Sequence, residues 1–310
     1  MTGYGCVFIE HHQAPKSMSL PQQRQLAISI DDLPAVRCQT LEMRRRVTDC
    51  LVSTLQLHQI PAIGFVNEQK LGEPVPNPDD VALLETWLDA GLELGNHTYS
   101  HASLFSMPLE EFKLEVLLGG RVTGRLLEAR GRRLRFFRHP FLNTGPDHDI
   151  KRSFEEFLER EGYTVAPVTV DNSEWIYADA YDAAKTRSDT ALASAIGADY
   201  IRYMREMFEF YETLSRDLFE RDIAQVLLIH ANQLNADCLG SLIHMVEQRE
   251  YKFISLGAAL RDPAYQSIDG YVGRDGISWL QRWWITKGKA FRHEPEVPEW
   301  IEEARTDKTV

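Results

Sequence analysis

Several features that assign chains to common protein classes are missing from this sequence. It has only four cysteines in 310 residues, widely spaced and without a Cys-x-x-Cys pair. Neither a zinc knuckle nor a dense disulfide framework is therefore predicted. No window of 18 apolar residues occurs, so no transmembrane helix is predicted. The first 20 residues lack a basic start followed by a long apolar run, so they do not predict a signal peptide.

Positive charge is also scarce. The chain has 34 Lys and Arg residues against 46 Asp and Glu residues, a formal net charge of −12 and a pI of about 5.3. A nucleic-acid partner would favour a basic face, so none is predicted. Neutral or cationic substrates are compatible with this charge, although solubility explains it equally well. The hydrophobic fraction of 44% is ordinary for a globular protein with a buried core.

Short β-rich segments alternate with helical ones along most of the chain. The predicted strands are residues 26–30, 62–66, 92–96, 134–137, 163–168, 225–229 and 252–255. The predicted helices are residues 41–57, 108–130, 147–161 and 236–250, with a loop followed by a helix over 76–90 and a long helical region at about 180–221. This alternation is typical of βαβ units in a parallel sheet. We expect an α/β fold, an incomplete (β/α)7 TIM-like barrel with a C-terminal extension, and the alternative is an open doubly wound sheet.

The composition of the two ends sets the expected domain organisation. Residues 1–24 are polar, contain Pro15 and Pro21 and show no periodicity, so we expect an irregular N-terminal arm. Residues 25–258 contain the alternating segments and form the predicted barrel. Residues 259–310 are rich in Trp, Gly, Pro and charge, and we expect an extension packed on the barrel.

Polar residues follow or end five of the predicted strands. Chemistry in parallel α/β folds collects at the carboxyl ends of the strands, so these residues are the candidates for a site. The candidates, in chain order, are Asp31, Asp32, His97, His101, Arg138, Asp171, Glu174, Trp175 and His230. Each alone is unremarkable, but chance placement of the whole set at strand ends is improbable.

The two histidines suggest a metal site. His97 and His101 are four residues apart, and with one aspartate they make a His-His-Asp set that leaves positions open for water and substrate, as in catalytic zinc sites. Two ordinary surface histidines are the alternative. The side chains of Asp31 and Asp32 point apart, so one can ligate a metal while the other serves as base. A strand-ending turn is the alternative for this pair.

Two further residues fit roles beside such a site. Arg138 next to a carboxylate would hold it ionised and oriented, although a surface salt bridge would also explain an arginine there. His230 ends the apolar run from Val226 to Ile229. Opposite a metal site it is a candidate general acid, and the alternative is a packed core histidine.

Five motifs in order resemble those of the polysaccharide deacetylases, the NodB-homology proteins of carbohydrate esterase family 4. The resemblance covers roughly residues 25–257. The motifs are Ser29-Ile30-Asp31-Asp32, His97-Thr98-Tyr99-Ser100-His101, Arg138-His139-Pro140-Phe141, Asp171-Asn172-Ser173-Glu174-Trp175 and Leu227-Leu228-Ile229-His230. The spacing of the second motif and the order of all five make the match specific.

The resemblance implies a role for each matched residue. Asp31 resembles the general base, and Asp32, His97 and His101 resemble the metal triad. Arg138 resembles the residue that orients Asp31. The Phe141 backbone amide would help to bind an oxyanion, and Trp175 would pack on the acetyl methyl or a sugar face. His230 resembles the general acid. The implied cofactor is a divalent metal, most often zinc, with cobalt or nickel as alternatives.

Two departures from the family pattern leave points open. Ser29-Ile30 stands where the family usually has Thr-Phe before the two aspartates. Glu174 stands where the family usually has aspartate before the tryptophan, so either Glu174 or Asp171 could tune His230. The resemblance does not explain the long region at 180–221.

The implied activity is metal-dependent hydrolysis of acetyl groups on a glycan. The substrate would be an N-acetylglucosamine polymer such as peptidoglycan or chitin, or O-acetylated xylan. The alternatives are an amidohydrolase of the same fold acting on a small cyclic amide, and an inactive glycan-binding barrel. The resemblance favours a periplasmic or extracellular location. The sequence leaves the compartment, the native metal and the oligomeric state open.

Overall fold

The computed structural model describes residues 23–306, and residues 1–22 of the predicted N-terminal arm lie outside it. All seven predicted strands are present in one sheet. They are β1 (Gln25–Leu33), β2 (Ile63–Val66), β3 (Glu93–Asn96), β4 (Phe136–Phe137), β5 (Thr164–Val165), β6 (Gln225–His230) and β7 (Lys252–Phe253). The strand positions follow the β-rich segments of the sequence, and β4, β5 and β7 are shorter than predicted.

The sheet is parallel, and strands β1 to β5 lie side by side in chain order. The order is β5-β4-β3-β2-β1-β6, and β7 pairs with the first residues of β1. Beyond β5 the chain curls back, and Val170 forms a parallel bridge with Leu227 of β6. In an open doubly wound sheet the segment after β5 and strand β6 would lie at opposite edges and would not pair. The predicted incomplete (β/α)7 barrel is therefore confirmed, and the open-sheet alternative is wrong.

Helices cover the outside of the barrel. They are α1 (Leu41–Leu57), α2 (Pro78–Asp89), α3 (Leu109–Leu118), α4 (Arg121–Glu128), α5 (His148–Arg160), α6 (Glu174–Thr186), α7 (Thr190–Phe219), α8 (Gln233–Gln248), α9 (Leu256–Ala259), α10 (Trp279–Thr286) and α11 (Glu299–Thr306). Asn and Asp side chains cap several of these helices as N-cap preferences predict, including Asn77 before α2 and Asp147 before α5. No helix among residues 23–306 is long and apolar enough to cross a membrane.

The single helix predicted at 108–130 is wrong. Gly119 and Gly120 separate α3 from α4, and consecutive glycines disfavour helix. Gly119 is required by packing, since a Cβ there would lie 2.4 Å from the backbone carbon of Thr98. The break therefore lets the loop after β3 approach the helix pair closely.

The long helical region predicted at about 180–221 is present, but it begins earlier, at Glu174, and is divided into α6 and α7. Ser188 adopts a left-handed backbone conformation with φ of 57°, and Asp189 then caps α7 by accepting a hydrogen bond from the Leu192 amide. The earlier start places Glu174 in the first turn of a helix, where a carboxylate is favourable.

The strand β1 lies at the centre of the sheet and determines where the polar residues sit. It pairs with β2 on one side and β6 on the other, and all its residues after Gln25 are buried. Parallel strands buried on both faces are usually continuous apolar runs. The exceptions here are Ser29, Asp31 and Asp32, which the strand carries towards its carboxyl end. Burial of these carboxylates requires compensating charges or hydrogen bonds nearby.

The chain after β7 returns to the carboxyl end of the sheet. The Trp279 amide, at the start of α10, donates a hydrogen bond to the carbonyl of Val168. Helix α10 also packs on α7, and α11 packs on α6. The boundary at residue 258 between barrel and extension stays a prediction.

Candidate active site

A cavity of about 870 Å³ opens at the carboxyl ends of the strands. Eight predicted site residues line it: Asp31, Asp32, His97, His101, Phe141, Asp171, Trp175 and His230. Arg138 and Glu174, the other two, are fully buried next to it. The structure thus brings all ten sequence-predicted residues to one place.

Three of these residues can hold a metal ion. The ligand atoms of Asp32, His97 and His101 all lie within 4.8 Å of one another. Oδ1 of Asp32 is 3.9 Å from Nε2 of His97 and 3.6 Å from Nε2 of His101. Nδ1 of His97 donates a hydrogen bond of 2.8 Å to the Arg138 carbonyl, so Nε2 carries the free lone pair. Two imidazoles and one carboxylate fit a catalytic zinc site with open positions.

The backbone around these ligands is held in unusual conformations. Asp32, Thr98 and His101 have φ of 70°, 66° and 60°, in the left-handed region that side chains other than glycine rarely adopt. The Asn96 side chain stabilises the turn by accepting a hydrogen bond of 2.8 Å from the Thr98 amide. Strain of this kind persists only where surrounding contacts enforce it. It aims the ligands at one point.

One cation close to the triad, Lys70, is not among the site residues predicted from the sequence. Nζ of Lys70 lies 3.0 Å from Oδ1 of Asp32. Lys70 belongs to a short 3-10 helix, Glu68–Leu71, that directly follows β2. The signal was its position after a strand, because the carboxyl end of β2 faces the same cavity as the other strand ends. A metal ion at Asp32 would share this oxygen with Lys70.

The two adjacent aspartates differ in protonation. Burial raises the pKa of Asp31 to about 6, although Arg138 and His230 oppose the increase. Burial acts on Asp32 in the same direction, but Lys70, His101 and His97 together bring its pKa below the usual range. Asp32 is therefore ionised as a ligand must be, and Asp31 titrates close to neutrality, where a base is effective.

Arg138 holds Asp31 from inside the barrel. Its Nη1 lies 3.6 Å from Oδ2 of Asp31, and its Nη2 donates a hydrogen bond of 2.8 Å to Oγ of Ser29. The guanidinium also lies 4.8 Å from the centre of the Phe65 ring. The surface salt bridge that the sequence left open for Arg138 is wrong, because the side chain is fully buried.

His230 is paired with Glu174. Its Nδ1 lies 2.8 Å from Oε2 of Glu174, which is completely buried. Burial alone would lower the pKa of His230, but the hydrogen bond and charge of Glu174, with the charges of Asp32 and Asp31, raise it to about 9. His230 is therefore protonated at neutral pH. A packed core histidine would not line a cavity in this state.

Asp171 has a different environment from Glu174. Its Oδ1 accepts a hydrogen bond from the Asn172 amide, and burial together with the charge of Glu294 raises its pKa to about 7. Glu294 comes from the extension and also lines the cavity. The contact with His230 is made by Glu174, the longer of the two carboxylates that the sequence left open.

The loop that carries Phe141 is held by the extension. Phe141 has φ of 55°, and its ring lies 4.5 Å from that of His101. Gly276 packs so closely that a Cβ there would lie 1.6 Å from the Phe141 carbonyl oxygen. Nη2 of Arg282 donates a hydrogen bond to the Leu142 carbonyl. These contacts have no signal in the sequence, because they join segments more than 130 residues apart.

Trp175 lies at the rim of the cavity. It is 43% exposed, and the Arg305 guanidinium from α11 stacks 4.7 Å from its ring centre. One face of the indole is thus occupied by the extension. Its exposure shows that Trp175 is not part of the barrel core.

The family described as polysaccharide deacetylase matches residues 20–165 of this chain. The match confirms the resemblance that the motifs indicated. It includes the motifs around Asp31, His97 and Arg138, and it ends before Asp171 and His230. The comparison with curated proteins found no match.

Solved structures were also compared with this chain. A family 4 carbohydrate esterase from Streptomyces lividans, in complex with acetate, is 18% identical, with 77% of this chain and 97% of that chain covered and a TM-score of 0.48. The peptidoglycan deacetylase PdaC from Bacillus subtilis is 17% identical, with 78% and 92% covered and a TM-score of 0.47. A family 4 pseudoenzyme from Bacillus anthracis is 15% identical, with 78% and 66% covered and a TM-score of 0.49.

The triad geometry predicts one zinc site. Isothermal titration of the purified, chelator-treated protein with Zn²⁺ should give one equivalent bound. His101→Ala removes one of three ligands and should weaken binding about 100-fold or more. The matched control is His58→Ala, since His58 pairs with Glu247 away from the cavity. Equal zinc affinity of His101→Ala and the unchanged protein would refute the site.

The contact of Gly276 with the Phe141 loop predicts a steric effect. Gly276→Ala should lower the free energy of unfolding by about 1–3 kcal/mol, because its Cβ would overlap the Phe141 carbonyl. Denaturant unfolding measures the change. Gly240→Ala is the control, since nothing lies within 4 Å of a Cβ there and alanine favours helix α8. The assigned contact would be contradicted by similar effects of the two substitutions.

Proposed function

We propose, on the premise that residues 20–165 relate this chain to the polysaccharide deacetylases, that it is a metal-dependent hydrolase that removes acetyl groups from a glycan. The substrate would be an N-acetylglucosamine polymer such as peptidoglycan or chitin, or O-acetylated xylan. The observation that carries the proposal is one cavity lined by Asp31 and His230 together with Asp32, His97 and His101, and the ligand atoms of the last three lie within 4.8 Å of one another. Burial raises the pKa of Asp31 to about 6, and Glu174 with Asp32 and Asp31 raises the pKa of His230 to about 9, which suits a base and an acid at neutral pH.

Asp32, His97 and His101 would hold the divalent ion. Zn²⁺ suits two imidazoles and a carboxylate, and Co²⁺ or Ni²⁺ are the alternatives. When bound there, the ion supplies a Lewis acid for the acetyl carbonyl. The low pKa of Asp32 and the lowered pKa values of both histidines keep all three ligands in the deprotonated form that a metal requires.

Asp31 would take the proton of the attacking water. Within residues 23–306 its buried Oδ1 has no hydrogen-bond partner, and the residue lines the cavity. A buried carboxylate oxygen with an unused lone pair is suited to accept a proton. Arg138 keeps Oδ2 oriented at 3.6 Å, which leaves Oδ1 as the reactive atom.

His230 would donate the proton that the leaving group needs. Its Nδ1 is engaged by Glu174, so Nε2 is the nitrogen that delivers the proton to an amine or alcohol. The Phe141 amide would donate a hydrogen bond to the developing oxyanion, since the left-handed turn sits beside His101. Trp175 would pack on the acetyl methyl or a sugar face with the side of the indole that Arg305 leaves free.

A second candidate is hydrolysis of a small cyclic amide by the same residues. The cavity of about 870 Å³ lies in the range of small-molecule sites, which favours keeping this candidate. An inactive glycan-binding barrel is less well supported, because such a protein needs neither the base nor the three ligands. Acetate release from a glycan separates the first candidate from both others.

Deacetylation should depend on a divalent metal. Purified protein incubated with N-acetylglucosamine oligomers, acetylated xylan fragments and a small cyclic amide should release acetate from one of the two glycan classes. Chelator treatment should abolish release and added Zn²⁺ should restore it, because the ligand triad is complete. Activity that survives complete metal removal would exclude this mechanism. Turnover of the cyclic amide alone would establish the second candidate.

His230→Ala should remove the acid without removing the metal. We expect kcat to fall about 10²–10⁴-fold, the usual contribution of general acid catalysis, with the bound zinc per chain unchanged. The control His244→Ala, on the exposed face of α8, should retain full activity. Loss of zinc in His230→Ala would show that His230 acts as a ligand and not as an acid.

A further inference from the structure

We infer that Tyr200 and Asn235 are positioning residues for His230, acting through Glu174, so that helix α7 supports the acid of the proposed reaction. The inference rests on the proposed function for its catalytic meaning. It assigns a purpose to the 180–221 region, which the sequence resemblance left unexplained. Tyr200 lies in the N-terminal half of α7, and Asn235 lies in the first turn of α8.

The Asn235 side-chain amide is fully hydrogen-bonded. Its Nδ2 donates to Oε1 of Glu174 and to the carbonyl of His230, each at 2.8 Å. Its Oδ1 accepts a hydrogen bond of 2.9 Å from the hydroxyl of Tyr200. Both partners of Nδ2 are acceptors only, so one orientation of the amide satisfies the whole set. The Tyr200 hydroxyl is the donor that completes this orientation.

The Glu174 carboxylate depends on these donors because no water reaches it. Its exposed fraction is 0%, and Oε1 receives the amides of both Asn235 and Asn232. Oε2 faces Nδ1 of His230 at 2.8 Å. Donors on one oxygen fix the plane of the carboxylate and thereby direct the other oxygen at the imidazole. A continuous chain of hydrogen bonds, here called the relay, thus joins Tyr200, Asn235, Glu174 and His230.

The hydrogen bond between Tyr200 and Asn235 is important for Glu174 because both residues are buried. Tyr200 and Asn235 are both 0% exposed, so a lost hydrogen bond is not replaced by solvent. With its acceptor unsatisfied, the Asn235 amide would rotate or shift, and Oε1 of Glu174 would lose a donor. The pairing of Glu174 with His230 would then loosen. The other charged groups that face His230 are Asp31, Asp32, Asp171 and His101, and they would be unchanged.

The relay can be tested by NMR without turnover. In metal-free and zinc-loaded protein, the Nδ1 proton of His230 should give a downfield resonance that exchanges slowly. Tyr200→Phe should move it upfield and speed its exchange, and Asn235→Ala should do so more strongly. The His230 titration midpoint should fall in both variants, because the Glu174 hydrogen bond is what raises it. Glu174→Gln should give the lowest titration midpoint of His230 among these variants.

Kinetics provide a second readout. For Tyr200→Phe we expect kcat to fall about ten-fold with KM unchanged, and the alkaline limb of the kcat profile to move to lower pH. Tyr251→Phe is the matched control, since Tyr251 is a buried tyrosine whose hydroxyl bonds Glu212 of the same helix α7, away from the cavity. It should leave the resonance, the titration and kcat unchanged.

The outcomes separate the two proposals. If folded Tyr200→Phe and Asn235→Ala both show the same His230 resonance and titration as the unchanged protein, the relay is refuted. If the resonance moves while the unchanged protein releases no acetate from any glycan, the relay stands and the proposed function fails. Circular dichroism and thermal unfolding of each variant establish that it is folded.

Discussion

The burial of two adjacent carboxylates at the end of the central strand is the constraint on which the site depends. Asp31 and Asp32 are 2% and 9% exposed, and ionised carboxylates at such depth are unfavourable unless charges compensate them. Arg138 lies beneath Asp31, and Lys70 lies beside Asp32. These two ion pairs compensate the buried carboxylates and hold them in place.

The residues that surround His230 come from different structural elements than the three predicted metal ligands. The metal ligands come from strand ends of the barrel, whereas the surroundings of His230 are built by α6, α7 and α8. The buried Glu174 stands at the start of α6, and the amides that hold it belong to the start of α8. Helices α6 and α8 thus position the proposed acid, whereas the sheet positions the proposed metal ligands. The two groups stay coupled through charge, because Asp31 and Asp32 also raise the pKa of His230.

Sequence patterns predicted the sheet well because it depends on local periodicity, and strand-end positions predicted which polar residues would lie together. Strand ends in a parallel barrel meet at one edge, so His97 and Asp32 could be brought together without a structure. What the sequence could not supply was long-range. The Gly276 contact and the Arg305 stacking on Trp175 each join segments that no period relates. The break between α3 and α4 has a local signal in Gly119 and Gly120, but the close packing of Gly119 against the Thr98 backbone joins two separate segments and was not predictable.

The contact between Gly276 and the Phe141 carbonyl limits where this chain can be truncated or recombined. A barrel excised at residue 258 would lose Gly276, which packs on the Phe141 loop. It would also lose Arg282, whose guanidinium donates a hydrogen bond to the Leu142 carbonyl. Grafting the barrel onto another carrier, or exchanging its tail for that of a relative, would therefore change the active site as well as the periphery. The unit that keeps the candidate site intact is the predicted barrel together with its extension.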